Sequence, residues 1–328
     1  MRVIVFGGTR FIGLSLVEQL VEHGHSVAVV HRGMHEPEGL GAVEHVHAER
    51  SALREHRQEL QRFKPDAAVD MAAMTGADAR AVAEALDDSI PLVAASSADV
   101  YRACASVFEG RVTDAVPLAE NAALREGPTP DQDVVPPGWD YDAGRYEKLD
   151  VERVYLDRGA SVCRLPMVYG EEDYKRREEF VLRRVRAGRK RIPVGPGGFL
   201  WSRGYAPEIA RGIRLALESG AGGEVFNLAE PVCAPIGLWV ERILVAADHA
   251  AELVRVPEER LPEDLLLTGE IPQPWMIDST KARERLGWVH EPWEECVERS
   301  VRWHLRHPPP PAEADLDFSA DDAALAHG

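Results

Sequence analysis

Two short stretches hold residues whose types and spacing suit chemistry. The first, GGTRFIG from Gly7 to Gly13, falls between an apolar run and a helical pattern. That is the context in which a glycine-rich turn cradles a dinucleotide. Gly7 makes the tight turn, Gly8 adds backbone freedom, and Gly13 lets the helix lie close to the strand. The N–H groups of Thr9, Arg10, Phe11 and Ile12 then face a pyrophosphate at the positive end of the helix. The second stretch, WDYDAGRYEKLDVERVY from Trp139 to Tyr155, sets Lys148 and Glu152 four apart on one helix face. Tyr141 and Tyr146 lie close by. A phenol titrates near ~10 and is a poor base at neutrality, so its distance from Lys148 matters as much as its presence.

The end of the second strand selects the cofactor. An acidic residue there would hydrogen-bond a free ribose 2′-OH, whereas this chain has His31-Arg32-Gly33. Arg32 has the fork to grip a 2′-phosphate, and Arg10 in the glycine turn reaches toward the same group. Two guanidiniums and no carboxylate favour NADP over NAD. Arg32 stacked on the adenine would suit either cofactor. Glu49, at the end of the third strand, is placed to accept from the adenine amino group; a solvated surface glutamate is the alternative.

The elements that must position these residues follow from periodicity. RVIVFGG is an apolar strand, and FIGLSLVEQLVEHGH is a helix with one broad apolar stripe that Gly24 ends. SVAVVHRG, AVEHVHAE, PDAAVDMAA, IPLVAASSADVY and ASVCRLPMVYG read as further strands. SALREHRQELQRF, GADARAVAEALDD and EKLDVERVYLDRG read as helices. Pro136, Pro137 and Gly138 predict that the last of these helices starts near Tyr141. Strands apolar throughout and alternating with helices predict an α/β fold, a Rossmann doubly wound parallel sheet with a smaller C-terminal substrate lobe. Residues 1–170 form the dinucleotide-binding core. Residues 171–305 form mainly the substrate lobe with interleaved core elements, and 306–328 a Pro-rich acidic tail. That tail is expected to be mobile or held only by contacts outside the core. Ala103 to Gly138 lacks periodicity and reads as a loop over the site.

Composition narrows the partners. The 328 residues are 45% hydrophobic and 28% charged, with a net charge of −17. This argues for a soluble protein with no nucleic-acid partner, because phosphate binding needs concentrated Lys and Arg. The basic run Lys175 to Arg191 is either a solvated helix face or a pocket for an anionic substrate. Cys104, Cys163, Cys233 and Cys296 are scattered, so free thiols and no metal are expected. No signal peptide precedes the first strand and no apolar run approaches ~18 residues, so no membrane partner and a cytoplasmic location are expected.

With these residues in hand, the chain resembles the extended and atypical short-chain dehydrogenase/reductase family, the NAD-dependent epimerase/dehydratase-like group. That group also holds chloroplast stem-loop RNA-binding proteins. The resemblance rests on GGTRFIG and HRG, then DMAA, SSADVY, PLAENAALRE, KLDVE, CRLPMVYG, RGYAPEIA, VFNLA and DSTKARERLGW in order, up to about residue 305. It implies that Ser97 hydrogen-bonds the substrate oxygen that becomes or ceases to be a carbonyl. It implies that Lys148 holds the nicotinamide ribose and lowers the pKa of a neighbouring tyrosine. Asp99 falls where related dehydratases carry a proton-moving acid; a loop-capping role is the alternative. Ala72, Ala73, Ala95, Leu165 and Pro166 would line the nicotinamide side, mainly with backbone. Members of the family often pair as homodimers through the helices flanking the site.

The resemblance also exposes a departure. The family tyrosine stands four before the lysine, and here that position is Gly144. On a continuous helix Tyr146 would point about 200° away from Lys148, whereas Tyr141, two turns back, returns to within about 20° of it. Tyr141 is therefore the preferred phenol, with Tyr146 through a distorted first turn, or no tyrosine, as the alternatives. The implied function is an NAD(P)-dependent oxidoreductase or epimerase acting on a small polar metabolite or sugar nucleotide. Arg203 and the basic run are the cations available to such a substrate. The alternative is a non-catalytic dinucleotide-binding sensor or regulatory protein.

Overall fold

Alternate side chains of the first strand enter different cores. Along β1 (Arg2–Phe6), Val3 and Val5 join one buried cluster while Ile4 and Phe6 join another. Period-two alternation with both faces apolar is what a strand covered on both sides requires. The computed structural model describes residues 1–37, 43–128, 145–310 and 316–326. It continues with α1 (Phe11–Glu22), β2 (Ser26–His31), β3 (Glu44–His47), α2 (Arg57–Arg62), β4 (Ala67–Asp70), α3 (Gly76–Ala85) and β5 (Leu92–Ser97). Then come α4 (Arg102–Phe108), α5 (Lys148–Asp157), β6 (Ser161–Leu165), β7 (Met167–Tyr169), α6 (Glu179–Arg186) and β8 (Arg191–Val194). The chain ends with β9 (Arg203–Tyr205), α7 (Ala206–Glu218), β10 (Val225–Asn227), α8 (Ile236–Ala246), β11 (Glu252–Arg255), α9 (Thr280–Leu286), α10 (Trp293–Arg306) and α11 (Ser319–Leu325).

Among the described residues, seven strands form one sheet in the order β10-β6-β5-β4-β1-β2-β3, every pair parallel. This is the doubly wound Rossmann arrangement expected from the sequence. Helices α1 and α7 cover one face through Leu16, Val17, Leu20, Ile209 and Ile213. Helices α2, α3 and α5 cover the other through Leu60, Ala79, Val82, Val151 and Tyr155. Each fully buried Leu or Val side chain contributes about 1.5–3 kcal/mol. A further core, built around Trp239, Ile243, Val297 and Val301, joins α6, α8 and α10 to the two small sheets β8–β11 and β7–β9.

Several local readings change. Helix α5 begins at Lys148, not near Tyr141, and the Glu147 side chain accepts from the Leu149 N–H at its start. The sixth strand is two pieces, and β7 leaves the main sheet to pair with β9. The helix expected over 51–63 is reduced to α2 after a short turn at Arg50–Ala52. Helix α4 occupies part of a stretch read as loop. In the C-terminal tail, α11 docks on the lobe: Asp321 is buried against Arg184, and Ala324 and Leu325 are buried, Ala324 in the lobe core.

Candidate active site

The C-terminal ends of parallel strands are where their loops open a crevice. At the end of β1, Gly7 has φ +86° and its N–H donates to the Val30 carbonyl at 3.1 Å. A Cβ on Gly13 would lie 2.2 Å from the Gly7 carbonyl oxygen. Gly8 is needed for space rather than for backbone freedom, since its Cβ would lie 2.7 Å from Val17 Cγ2. Helix α1 starts with no side-chain cap from Arg10, whereas α3 has a full capping box from Thr75 and Asp78. The uncapped first-turn amides, near Thr9 to Ile12, are what an anionic pyrophosphate would satisfy. A turn with no room for side chains and an uncapped helix fit a dinucleotide.

Arg10 and Arg32 are exposed, and among the described residues neither has an ion pair. Glu49 is exposed just ahead of the Arg50 turn. Asp70, at the end of β4, is fully committed: Arg50 holds it at 2.7 and 2.8 Å, the Tyr155 hydroxyl donates to it, and it accepts from the Ala72 N–H at 2.9 Å.

The remaining groups meet at the end of β5. Lys148 is buried at the start of α5, and its Nζ donates to the carbonyls of Ala73 at 2.6 Å and Ala95 at 3.4 Å. Burial pushes its pKa down, against the pull of Asp99 and Asp70. Ser97 Oγ accepts from the Asp99 N–H at 3.2 Å, so the hydroxyl proton is left to donate elsewhere. The Asp99 carboxylate accepts from the Tyr146 hydroxyl at 2.6 Å, and its Oδ1 is buried with no hydrogen-bond partner among the described residues. Burial pushes the Asp99 carboxyl up, opposed chiefly by the hydrogen bond from Tyr146. Lys148 Nζ stands 5.8 Å from the centre of the Tyr146 ring. Leu165, at the end of β6, is in register with Ser97, and Pro166 follows it half-buried beside Gly204.

Tyr146 is the residue that helical geometry turned the wrong way. It precedes α5 instead of lying on it, so the 200° rotation never applies. Tyr141 and Gly144 lie outside the described residues. Sequence reasoning also passed over Arg125, whose Nε donates to the Asp99 carbonyl at 3.0 Å and whose Nη1 donates to Glu147 at 2.9 Å. This ties the approach to α5 onto the Asp99 turn. Glu152, which shares a helix face with Lys148, accepts from Ser96 Oγ at 2.6 Å and from Arg164 at 2.8 and 3.0 Å. It locks α5 to β5 and β6 and does not reach the crevice.

The cations assigned to substrate divide. Arg184 is buried between Asp264 and Asp321, Arg186 pairs with Glu179, and Arg189 with Asp322. Arg184 is thus buried inside the lobe, whereas Lys175, Arg186, Lys190 and Arg191 are exposed on its surface. Arg203 is 1% exposed, lies over the Trp239 ring at 5.0 Å, and has two nitrogens, Nε and Nη1, without partners.

Comparison with known proteins gives the same frame. A model of the NAD dependent epimerase/dehydratase family matches residues 3–229. The 3-oxoacyl-(acyl-carrier-protein) reductase MabA of Mycobacterium tuberculosis is 52% identical over 42 residues, covering 13% of this chain and 17% of that protein. The chloroplast stem-loop binding protein of 41 kDa b from Arabidopsis thaliana is 25% identical over 245 residues, covering 70% of this chain and 58% of that protein. The chain thus spans a sixth to somewhat over half the length of these curated relatives. Among solved structures, dTDP-glucose 4,6-dehydratase from Bacillus anthracis in complex with NAD superposes with a TM-score of 0.70 at 16% identity, over 94% of this chain and 97% of that one. Among the described residues no helix is long and apolar enough to cross a membrane.

Proposed function

The chain belongs to the NAD dependent epimerase/dehydratase family, and on that premise we propose that it is an NADP-using oxidoreductase or epimerase acting on small polar molecules, sugar nucleotides foremost. The observation that carries this reading is the meeting of Tyr146, Asp99 and Lys148 beside Ser97. The likeness to a sugar-nucleotide dehydratase supports the substrate class. So does Arg203, whose buried unpartnered nitrogens suit a phosphate or carboxylate. Arg10 and Arg32, neither with an ion pair among the described residues, and the lack of a carboxylate at the end of β2, where His31-Arg32-Gly33 stand, support NADP.

Bound with its pyrophosphate at the start of α1, the dinucleotide supplies a hydride acceptor or donor. The chain's own groups handle orientation and the proton. Ser97 donates to the substrate oxygen. Lys148, with two of its three N–H groups on the Ala73 and Ala95 carbonyls, keeps one for the nicotinamide ribose. A proton leaving the substrate hydroxyl passes to the Tyr146 oxygen as the Tyr146 proton passes to Asp99. The raised pKa of Asp99 suits it to hold that proton, and the Lys148 charge steadies the negative charge on the Tyr146 oxygen during the transfer.

The test is incubation of the purified chain with NADPH or NADP and a panel of sugar nucleotides, carbonyls and alcohols, followed by absorbance for net oxidation or reduction and by product analysis for epimerisation. Turnover with at least one class is expected. Tight cofactor binding without turnover across the panel would favour a non-catalytic sensor.

A further inference from the structure

Three histidines share one face at the edge of the main sheet. Strands β2 and β3 pair in parallel with His31 opposite His47 and Val29 opposite His45. Side chains alternate along a strand, so His45 and His47 project from the same face and His31 joins them. His31 Nε2 lies 2.8 Å from His45 Nδ1, and the His31 ring centre is 4.9 Å from that of His47. Glu36, from the loop after β2, sits 2.5 Å from His47 Nε2 and 3.9 Å from His31 Nε2. The donor atoms of His31, Glu36 and His45 all lie within 4.8 Å of one another.

We propose that His31, His45, His47 and Glu36 bind a divalent transition-metal ion of the zinc type at the adenosine end of the dinucleotide crevice. Imidazole nitrogen and carboxylate oxygen are the donors a tetrahedral zinc site takes, at about 2.0–2.2 Å. Bonds of that length separate tetrahedral donors by about 3.3 Å; the donors of His31, Glu36 and His45 must draw in from spacings of up to 4.8 Å, and His47 must follow through its contact with Glu36. His31 is buried, while His47 and Glu36 are exposed and leave an entry path.

Three hydrogen bonds must change: those of His31 Nε2 with His45 Nδ1 and of His47 Nε2 with Glu36 give way to metal bonds, and the Gly33 amide must release His31 Nδ1. The Gly33 N–H donates to His31 Nδ1 at 3.1 Å. A neutral imidazole that binds metal through Nε2 carries its proton on Nδ1, so this amide must turn away. Gly33 has φ +75° and the backbone latitude to do so. The ion is remote from the chemistry: β2 and β5 are three strand spacings apart, about 14 Å. Cysteine spacing gave no metal signal in the sequence, but His-x-His on a strand is one.

The test uses the full chain, free of any histidine tag and stripped of metal. It is titrated with Zn2+ against a competing chelator, and with Co2+ to read the visible bands of a tetrahedral site. One ion per chain and a tetrahedral Co2+ spectrum are expected. His45→Ala should weaken binding about 100-fold and abolish the spectrum, as should His31→Ala. His47→Ala, at an exposed position, gives a variant whose folding is not at issue and should also weaken binding. Absence of stoichiometric binding would overturn the proposal, and so would unchanged affinity in His45→Ala and His47→Ala.

Discussion

The Tyr146 hydroxyl donates to Asp99 Oδ2 at 2.6 Å across the mouth of β5. The contact joins a phenol just ahead of α5 to a carboxyl in the turn after β5. Arg125 grips both sides, through the Asp99 carbonyl and the Glu147 carboxylate. Tyr146, two residues before Lys148, reaches the crevice because the backbone is not yet helical there.

Tyr146→Phe keeps the ring over Lys148 and removes only the proton carrier. Turnover should fall by about 10²–10⁴-fold, the usual worth of a general acid or base. Cofactor affinity, read by NADPH fluorescence, should stay within about twofold because the phenol does not hold the dinucleotide. Tyr141→Phe is the matched control. If Tyr141 carries the loss and Tyr146 does not, the phenol has been misassigned.

Asp99 must be ionised to receive the Tyr146 proton, and burial raises its pKa. The sign follows: in the oxidative direction kcat should rise with pH through that elevated pKa and fall off on the acid side. Asp99→Asn retains an oxygen to accept from Tyr146 but cannot take up the proton. Its pH profile should lose the acid limb. A limb that persists in Asp99→Asn would assign it to another group.

The strand–helix alternation, both apolar faces of β1 and the glycine turn were legible because each depends on local spacing. Lys148 and Ser97 came from resemblance, and the structure brings both to the end of β5. The direction expected for Tyr146 rested on a single assumption, a helix starting near Tyr141, and α5 starts at Lys148. Where a helix begins depends on the Glu147 cap and the Arg125 clasp, partners 22 residues apart in sequence. Arg184 and Asp321 were unreadable for the same reason, being 137 residues apart. The tail was expected to be mobile or held only outside the core, yet one buried pair and two buried apolar side chains, Ala324 in the lobe core, dock it.

Arg32→Ala and Arg10→Ala test cofactor choice. Each should weaken NADPH about tenfold, or about 1.4 kcal/mol, and leave NADH within about twofold. Raised salt should narrow the gap, because the contact is exposed and charge-assisted. Equal losses for both cofactors would mean that these guanidiniums touch the adenine or pyrophosphate instead.

Glu178 offers a stability test independent of any substrate. It is fully buried ahead of α6, and burial pushes its carboxyl up to about 8. Its Oε1 accepts from Ser300 Oγ at 2.5 Å, while Oε2 has no hydrogen-bond partner and stands 3.6 Å from His304 Nε2. Burial pushes His304 down to about 4, so both groups are uncharged near neutrality. An unfolded glutamate titrates near ~4.3, so between there and about 8 the native chain holds a proton that the unfolded chain releases. Stability from this group is full below the unfolded pKa and is lost as pH rises through the folded one. Glu178→Gln removes the titration while keeping an acceptor for Ser300. His304 acts in the opposite direction, at lower pH, and is common to both proteins. Urea unfolding should give similar stabilities at about pH 4 and a variant more stable by about 1–3 kcal/mol at about pH 9. Parallel curves for the two proteins across that range would mean that Glu178 is already ionised in the fold, paired with a charged His304.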